Sequence, residues 1–168
     1  MLFLLREEAG FRGRMVGVDY SARSVQLARG IAGRKELGER IVFERWDVMK
    51  EDPAEWVRPG KEEEEEGRGE GGFEVVLDKG TFDAISLNEE VDGHGRRMCE
   101  SYRVRVEGLV KGGGYLLVTS CNWTEGELRR WFEGGELEFY GRIKYPSFAF
   151  GGKTGQSISS VCFRRRGS

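Results

Sequence analysis

The sequence is poor in the residues on which most hydrolytic and metal chemistry depends. It holds one histidine, His94, and three cysteines, Cys99, Cys121 and Cys162. With His94 as the only imidazole, neither a histidine-rich metal centre nor a histidine-based triad is expected. The cysteines are far apart and form no Cys-x-x-Cys pair, so metal-ligand spacing is absent and no metal is expected. Scattered thiols in odd number read as reduced side chains in a reducing compartment, the cytoplasm or the nucleus. Cys121 has no imidazole to activate it as a nucleophile, since His94 falls in a polar loop.

Long apolar runs and an excess of positive charge are missing as well. The opening Met1-Leu2-Phe3-Leu4-Leu5 is too short to span a bilayer or to form a signal-peptide core, so no membrane partner is expected. Lysine and arginine number 27 against 29 aspartate and glutamate, a net charge of −2, which argues against a general nucleic-acid binder. The 168 residues, 38% of them hydrophobic, suffice for one domain with a real core, expected to be a monomer.

Short β-rich runs occur at Met15 to Asp19, Ile41 to Phe43, Phe73 to Asp78, Tyr115 to Thr119, Leu137 to Tyr140 and Ile158 to Phe163. Helical spacing lies between several of them. Val25, Ala28 and Ala32, joined by Leu27 and Ile31, predict a helix that Ser21 can cap. Met98, Tyr102, Val106, Leu109 and Val110 predict a second, stopped by Gly112-Gly113-Gly114. Leu128, Trp131 and Phe132 predict a shorter third. Strand alternating with helix predicts an open, mostly parallel α/β sheet. After Phe132 two strand-like runs follow with only the turn-rich Pro146 to Gly155 between them, so an antiparallel pair is expected to close the sheet. Pro59 to Gly72, with five consecutive glutamates and no apolar residue, reads as an acidic, solvated insertion between two core strands.

In an open parallel sheet, ligands bind beyond the carboxyl ends of the strands. Three acids are expected there. Asp19 closes Val16-Gly17-Val18 and suits a ribose, whose hydroxyls two carboxylate oxygens can accept; it reads equally as a helix-leading acid. Asp47, in Trp46-Asp47-Val48, suits an exocyclic amino group or a turn. Asp78 closes Val75-Val76-Leu77 and precedes Lys79-Gly80-Thr81; it can orient an amine, pair with Lys79, or cap the next helix. Gly80 allows either a positive φ or the close approach of a ligand. Ser120-Cys121-Asn122-Trp123-Thr124 can line a substrate slot, with Thr124 equally suited to be an N-cap.

In this order, Gly17-Val18-Asp19-Tyr20-Ser21, Trp46-Asp47-Val48 and Leu77-Asp78-Lys79-Gly80-Thr81-Phe82-Asp83-Ala84 resemble the seven-β-strand methyltransferases. With Thr119 to Thr124 and Phe150 to Gly155, the chain looks like the lysine methyltransferases of translation elongation factor 1-alpha. More narrowly, it looks like the branch called elongation factor methyltransferase 4 or methyltransferase-like protein 10. The resemblance implies a Rossmann-like sheet and S-adenosylmethionine as cofactor. It implies that Asp19 and Tyr20 hold the ribose, and that Trp46, Asp47 and Val48 line the adenine side. Asp78, Lys79, Gly80 and Thr81 would face the methyl group and the amine, Asp78 also touching the cofactor. Ser120, Asn122 and Trp123 would admit the lysine of elongation factor 1-alpha, a protein partner.

The family's first strand and its glycine-rich turn have no counterpart here, so the sequence reads as one domain over 1–168 that is incomplete at its N-terminus. Two other functions fit parts of the pattern. A catalytically inactive, truncated binding module would keep a partner surface without the cofactor. A nicotinamide-dependent oxidoreductase would also place an acid on a ribose.

Overall fold

The structure is a computed structural model that describes residues 2–37, 41–52, 71–146, 148–150, 153–155 and 158–167. The acidic insertion read at Pro59 to Gly72 lies outside the described residues, apart from Gly71 and Gly72. Two compact units divide the chain, Met1–Glu51 and Asp52–Ser168. Among the described residues no helix is long and apolar enough to cross a membrane.

In the first unit, α1 (Leu2–Glu7) leads through an irregular segment to β1 (Val16–Asp19), α2 (Ala22–Arg34) and β2 (Val42–Arg45). β1 and β2 pair in parallel, with Asp19 opposite Arg45. Ser21 caps α2 as its sequence position suggests, its Oγ accepting from the Ser24 N–H at 3.3 Å. Val25 and Ala32 are buried beneath this helix, but Leu27, expected on the same face, is 63% exposed. Two residues beyond Val25 it stands some 200° around the helix, on the solvent side. Met15, Leu37 and Ile41 form the local core, joined by Leu2, Phe3, Leu5 and Phe43. Arg6 spans the irregular segment, donating to the Phe11 and Gly13 carbonyls at 2.8 Å each.

The second unit holds β3 (Phe73–Lys79), α3 (Thr81–Leu87), α4 (Cys99–Glu107), β4 (Val110–Ser120), α5 (Glu125–Phe132), β5 (Leu137–Ile143), β6 (Phe148–Phe150), β7 (Lys153–Gly155) and β8 (Ser159–Arg165). Its main sheet has the order β3-β4-β8-β5. β3 and β4 are parallel, as a helical crossover between them requires. β8 runs antiparallel to both β4 and β5, which is the antiparallel addition read from the sequence. β6 and β7 pair as a small separate ladder within the stretch read as turns.

One helix boundary differs from expectation. Val110 does not end the apolar stripe of α4; it opens the eleven-residue β4, and Gly112-Gly113-Gly114 lie inside that strand. Gly113 has φ +76°, and a Cβ on Gly114 would lie 2.9 Å from the Glu74 carbonyl oxygen. The pairing register shifts here between Phe73 and Val75. The glycines therefore build a bulge against β3 rather than stop a helix.

β4 alternates cleanly past the bulge, burying Leu116, Val118 and Ser120. Phe82 is the centre of the core over that face, its ring 5.6 Å from Tyr102, 4.9 Å from Phe132 and 6.0 Å from Trp123. Both crossover helices and α5 are thereby packed through aromatic side chains, whose burial dominates such cores.

Candidate active site

Parallel pairing brings the ends of neighbouring strands to one edge, so each unit has its own carboxyl rim. In the first, Asp19 ends β1 and Asp47 follows two residues after β2 ends at Arg45. Asp19 is exposed; its Oδ1 accepts from the Ser21 N–H at 2.8 Å, and its other oxygen accepts nothing among the described residues. Tyr20 beside it is 73% exposed, a flat ring standing in solvent. Asp47 is half-buried, its Oδ1 accepting from the Met49 N–H at 3.0 Å while its own N–H donates to Glu51. Trp46 is buried and Val48 half-buried. Both acids therefore organise local turns with one oxygen each, and the second oxygen of each accepts no hydrogen bond among the described residues.

In the second unit, the register sets Asp78 opposite Val118 and Lys79 opposite Thr119, so the turn after β3 and the loop after β4 share a rim. Asp78 is buried, and its carboxylate turns back on the helix that follows. Oδ1 accepts from the Thr81 N–H at 2.9 Å, and Oδ2 from the Phe82 N–H at 3.2 Å and the Tyr102 hydroxyl at 2.8 Å. Helix capping, one of the alternatives open from sequence, is what these bonds do. Burial pushes the Asp78 carboxyl above its ordinary pKa, and the Tyr102, Thr81 and Phe82 donors only partly oppose that. The same proximity drives the Tyr102 hydroxyl well above its ordinary value, by burial first and the Asp78 charge second. Gly80 has φ +81° and open space where a Cβ would stand, so the left-handed turn explains the glycine. Lys79 and Thr81 are exposed at this rim.

The loop after β4 is held by a network that sequence reasoning missed. Ser120 is buried and donates to Asp83 Oδ1, and the Cys121 N–H donates to Asp83 Oδ2 at 2.9 Å. Ser120 Oγ in turn accepts from the N–H groups of Asn122 and Trp123, at 3.0 and 2.9 Å. Its one proton and two lone pairs are thus all engaged. Trp123 Nε1 donates to Ser86 Oγ at 2.8 Å, which donates to the Asp83 carbonyl. Asn122 is left exposed at the rim and Trp123 half-buried. Asp83 lay inside the stretch singled out above. What would have flagged it is the spacing of Asp83 and Ser86, one helical turn apart after Gly80. Thr124 closes the loop as a full capping box with Glu127, the second of its two sequence readings.

Parallel strands ending in acids at a rim, with helices crossing between them, define a Rossmann-like α/β protein. The chain belongs to the methyltransferase domain family, whose model matches residues 1–152. It is 39% identical over 163 residues to protein-lysine N-methyltransferase EFM4 of Saccharomyces cerevisiae, covering 97% of this chain and 64% of that protein. It is 30% identical over 152 residues to EEF1A lysine methyltransferase 2 of Homo sapiens, covering 90% of this chain and 56% of that one. The chain thus spans between about half and two thirds of the length of these curated relatives. Among solved structures, a TehB-like SAM-dependent methyltransferase from Corynebacterium glutamicum superposes with a TM-score of 0.58 at 12% identity, over 91% of this chain and 68% of that one. The [4+2]-cyclase SpnF superposes with a TM-score of 0.61 at 12% identity, over 99% and 70%. These two likenesses concern the fold alone.

Proposed function

We propose that this chain carries the machinery of a protein-lysine N-methyltransferase that uses S-adenosylmethionine and acts on translation elongation factor 1-alpha. The observation that carries the reading is the 39% identity to a protein-lysine methyltransferase along 97% of the chain. The residues at the first rim fit an adenosyl group. Asp19 has an open carboxylate oxygen for the ribose hydroxyls, and the exposed Tyr20 ring offers a face beside it. Asp47 has an open oxygen for an amino group, with Trp46 and Val48 as apolar neighbours. When bound, S-adenosylmethionine supplies an electrophilic methyl group.

What the chain must supply is a lysine that is neutral, dry and in line. A free lysine is protonated at neutral pH, and an apolar surround disfavours its charged form. We assign Trp123 and Asn122 to the lysine side chain, on a loop that Ser120 fixes through Asp83. The turn Asp78-Lys79-Gly80-Thr81 shares that rim, and Asp78, through its cap, sets the start of α3. We assign this turn to the methyl and amine side of the reaction, with Asp78 as a positioning residue and a cofactor neighbour. No general base is needed for a lysine already deprotonated by its surround.

Titration calorimetry of the chain with S-adenosylmethionine, followed by mass spectrometry of elongation factor 1-alpha after incubation with both, tests this. Cofactor binding and a methyl increment on a lysine are expected. Absence of both in a protein that remains folded defeats the proposal.

A further inference from the structure

The main sheet carries a second feature on its carboxyl rim that the roles above leave unused. Where β4 ends and β8 begins, Ser120 pairs with Ser159, and beside them the end of β5 and the start of α5 enclose a cleft of about 200 Å³. That is below the roughly 300 Å³ at which drug-sized pockets begin. It suits a single amino-acid side chain. Its lining includes Ser160 and Tyr145, whose hydroxyl oxygens lie 2.9 Å apart, and Ser160 Oγ is also 2.7 Å from Thr119 Oγ1, which is not part of the lining. Arg142 in the wall is ion-paired with Glu125, so those two charges cancel. Lys144 also lines the cleft, is exposed, and makes no hydrogen bond or ion pair among the described residues.

The cleft therefore holds one positive charge, on Lys144, that has no ion-pair partner among the described residues, beside the linked hydroxyls of Ser160 and Tyr145. A doubly charged phosphate would ask for more than one free cation; a single carboxylate matches one lysine. The neighbouring loop, two residues past Ser120, carries Asn122. We propose that this cleft is a specificity subsite that receives an aspartate or glutamate side chain of the protein substrate, close to the acceptor lysine. It rests on the reading of the chain as a protein methyltransferase.

Two measurements test the subsite. The first is an NMR titration at low ionic strength with the α-amide of N-acetyl-glutamate and with its glutamine counterpart. The glutamate compound is expected to shift the Lys144 and Tyr145 side-chain resonances, and the glutamine compound to leave them in place. Lys144→Met should abolish the response, and about 0.3 M salt should weaken it. Equal shifts from both compounds, no shift from either, or a response that survives in Lys144→Met overturns the proposal. Displacement by inorganic phosphate at equal concentration would assign the cleft to a free anion instead. The second is steady-state kinetics on elongation factor 1-alpha. Lys144→Glu should raise KM for the protein about tenfold, leave KM for S-adenosylmethionine in place, and be rescued by Lys144→Arg. An unchanged KM for the protein would defeat the subsite. A wild-type chain that transfers no methyl group defeats the catalytic reading, while the titration still decides the cleft.

Discussion

The Tyr102 hydroxyl donates to Asp78 Oδ2 at 2.8 Å, joining α4 to the end of β3 across 24 residues. It is one of three donors that make a buried carboxylate tolerable at the rim, the others being the N–H groups of Thr81 and Phe82. Tyr102→Phe keeps the ring against Phe82 and removes only this bond. The loss is expected to be about 1.5–3 kcal/mol, the range for hydrogen bonds to charged groups. Urea denaturation at neutral pH measures it, and a change below about 0.5 kcal/mol would mean the bond contributes little.

The same pair fixes a pH dependence. Burial raises the folded-state pKa of Asp78 above its unfolded value. The native carboxyl then holds its proton more tightly than the unfolded one, so its contribution to stability is fully present below the ordinary carboxylate range. It is lost as pH rises through the folded pKa. Tyr102 is a lowering influence on that pKa, so Tyr102→Phe pushes it further up and carries the loss to higher pH. The destabilisation caused by Tyr102→Phe should therefore be larger at pH 7 than at pH 4, on a common denaturant scale. In an Asp78→Asn background that difference should vanish; its persistence would locate the titration in another group.

What could be read from the sequence here is what is local. Asp19 and Asp78 each follow an apolar run and precede a turn, so their places at strand ends are visible in a few residues; Asp47, two residues past β2, is marked only by its turn. Ser21 and Thr124 are visible as caps for the same reason. The partners are not local. Asp83 meets Ser120 across 37 residues, and nothing beside Ser120 announces that its hydroxyl will be fully engaged. Gly112 to Gly114 carry a strong breaker signal, but whether they end a helix or bulge a strand depends on Glu74 facing them. Leu27 is misplaced by a helical-wheel argument that counts apolar residues without their angle.

Gly80 and Gly17 separate two reasons for a glycine. At Gly80 a methyl group meets nothing within 4 Å, but φ is +81°. Gly80→Ala should cost about 1–2 kcal/mol, all of it backbone, and Gly80→Asn less, since asparagine tolerates this region. At Gly17 the backbone is ordinary, but a Cβ would lie 2.6 Å from the Phe43 ring. Gly17→Ala should cost about 1–3 kcal/mol through overpacking. Chemical denaturation of the three variants checks the pattern; a Gly80→Asn variant worse than Gly80→Ala would contradict the backbone explanation.

Asp19 tests the cofactor assignment without disturbing the fold. Its Oδ1 holds the Ser21 N–H, a bond that an asparagine oxygen can also accept. Asp19→Asn should therefore leave thermal stability within about 0.5 kcal/mol of wild type. If the carboxylate also accepts the ribose hydroxyls, the lost charge should weaken S-adenosylmethionine about ten- to hundredfold by calorimetry. An unchanged Kd would show that Asp19 serves the turn alone.

Asp83 is the residue through which the loop after β4 is most exposed to failure. Its two oxygens take the Ser120 hydroxyl and the Cys121 N–H, and Ser120 passes the constraint on to Asn122 and Trp123. Asp83→Ala leaves a buried hydroxyl and an N–H without an acceptor, at a cost of about 2–3 kcal/mol. Asp83→Asn does not rescue this fully, because its amide N–H2 must face one of two donors and Ser120 has no lone pair left to receive it. Ser120→Ala breaks the same chain one link further on. The two single substitutions should therefore share most of their cost, with the double variant falling short of additivity by about 1 kcal/mol or more. Amide exchange at Cys121, Asn122 and Trp123 should accelerate in both single variants while that of the β4 interior stays slow. Additive costs, or exchange that speeds up across all of β4, would mean that Asp83 stabilises the core at large and that the loop is set by other contacts.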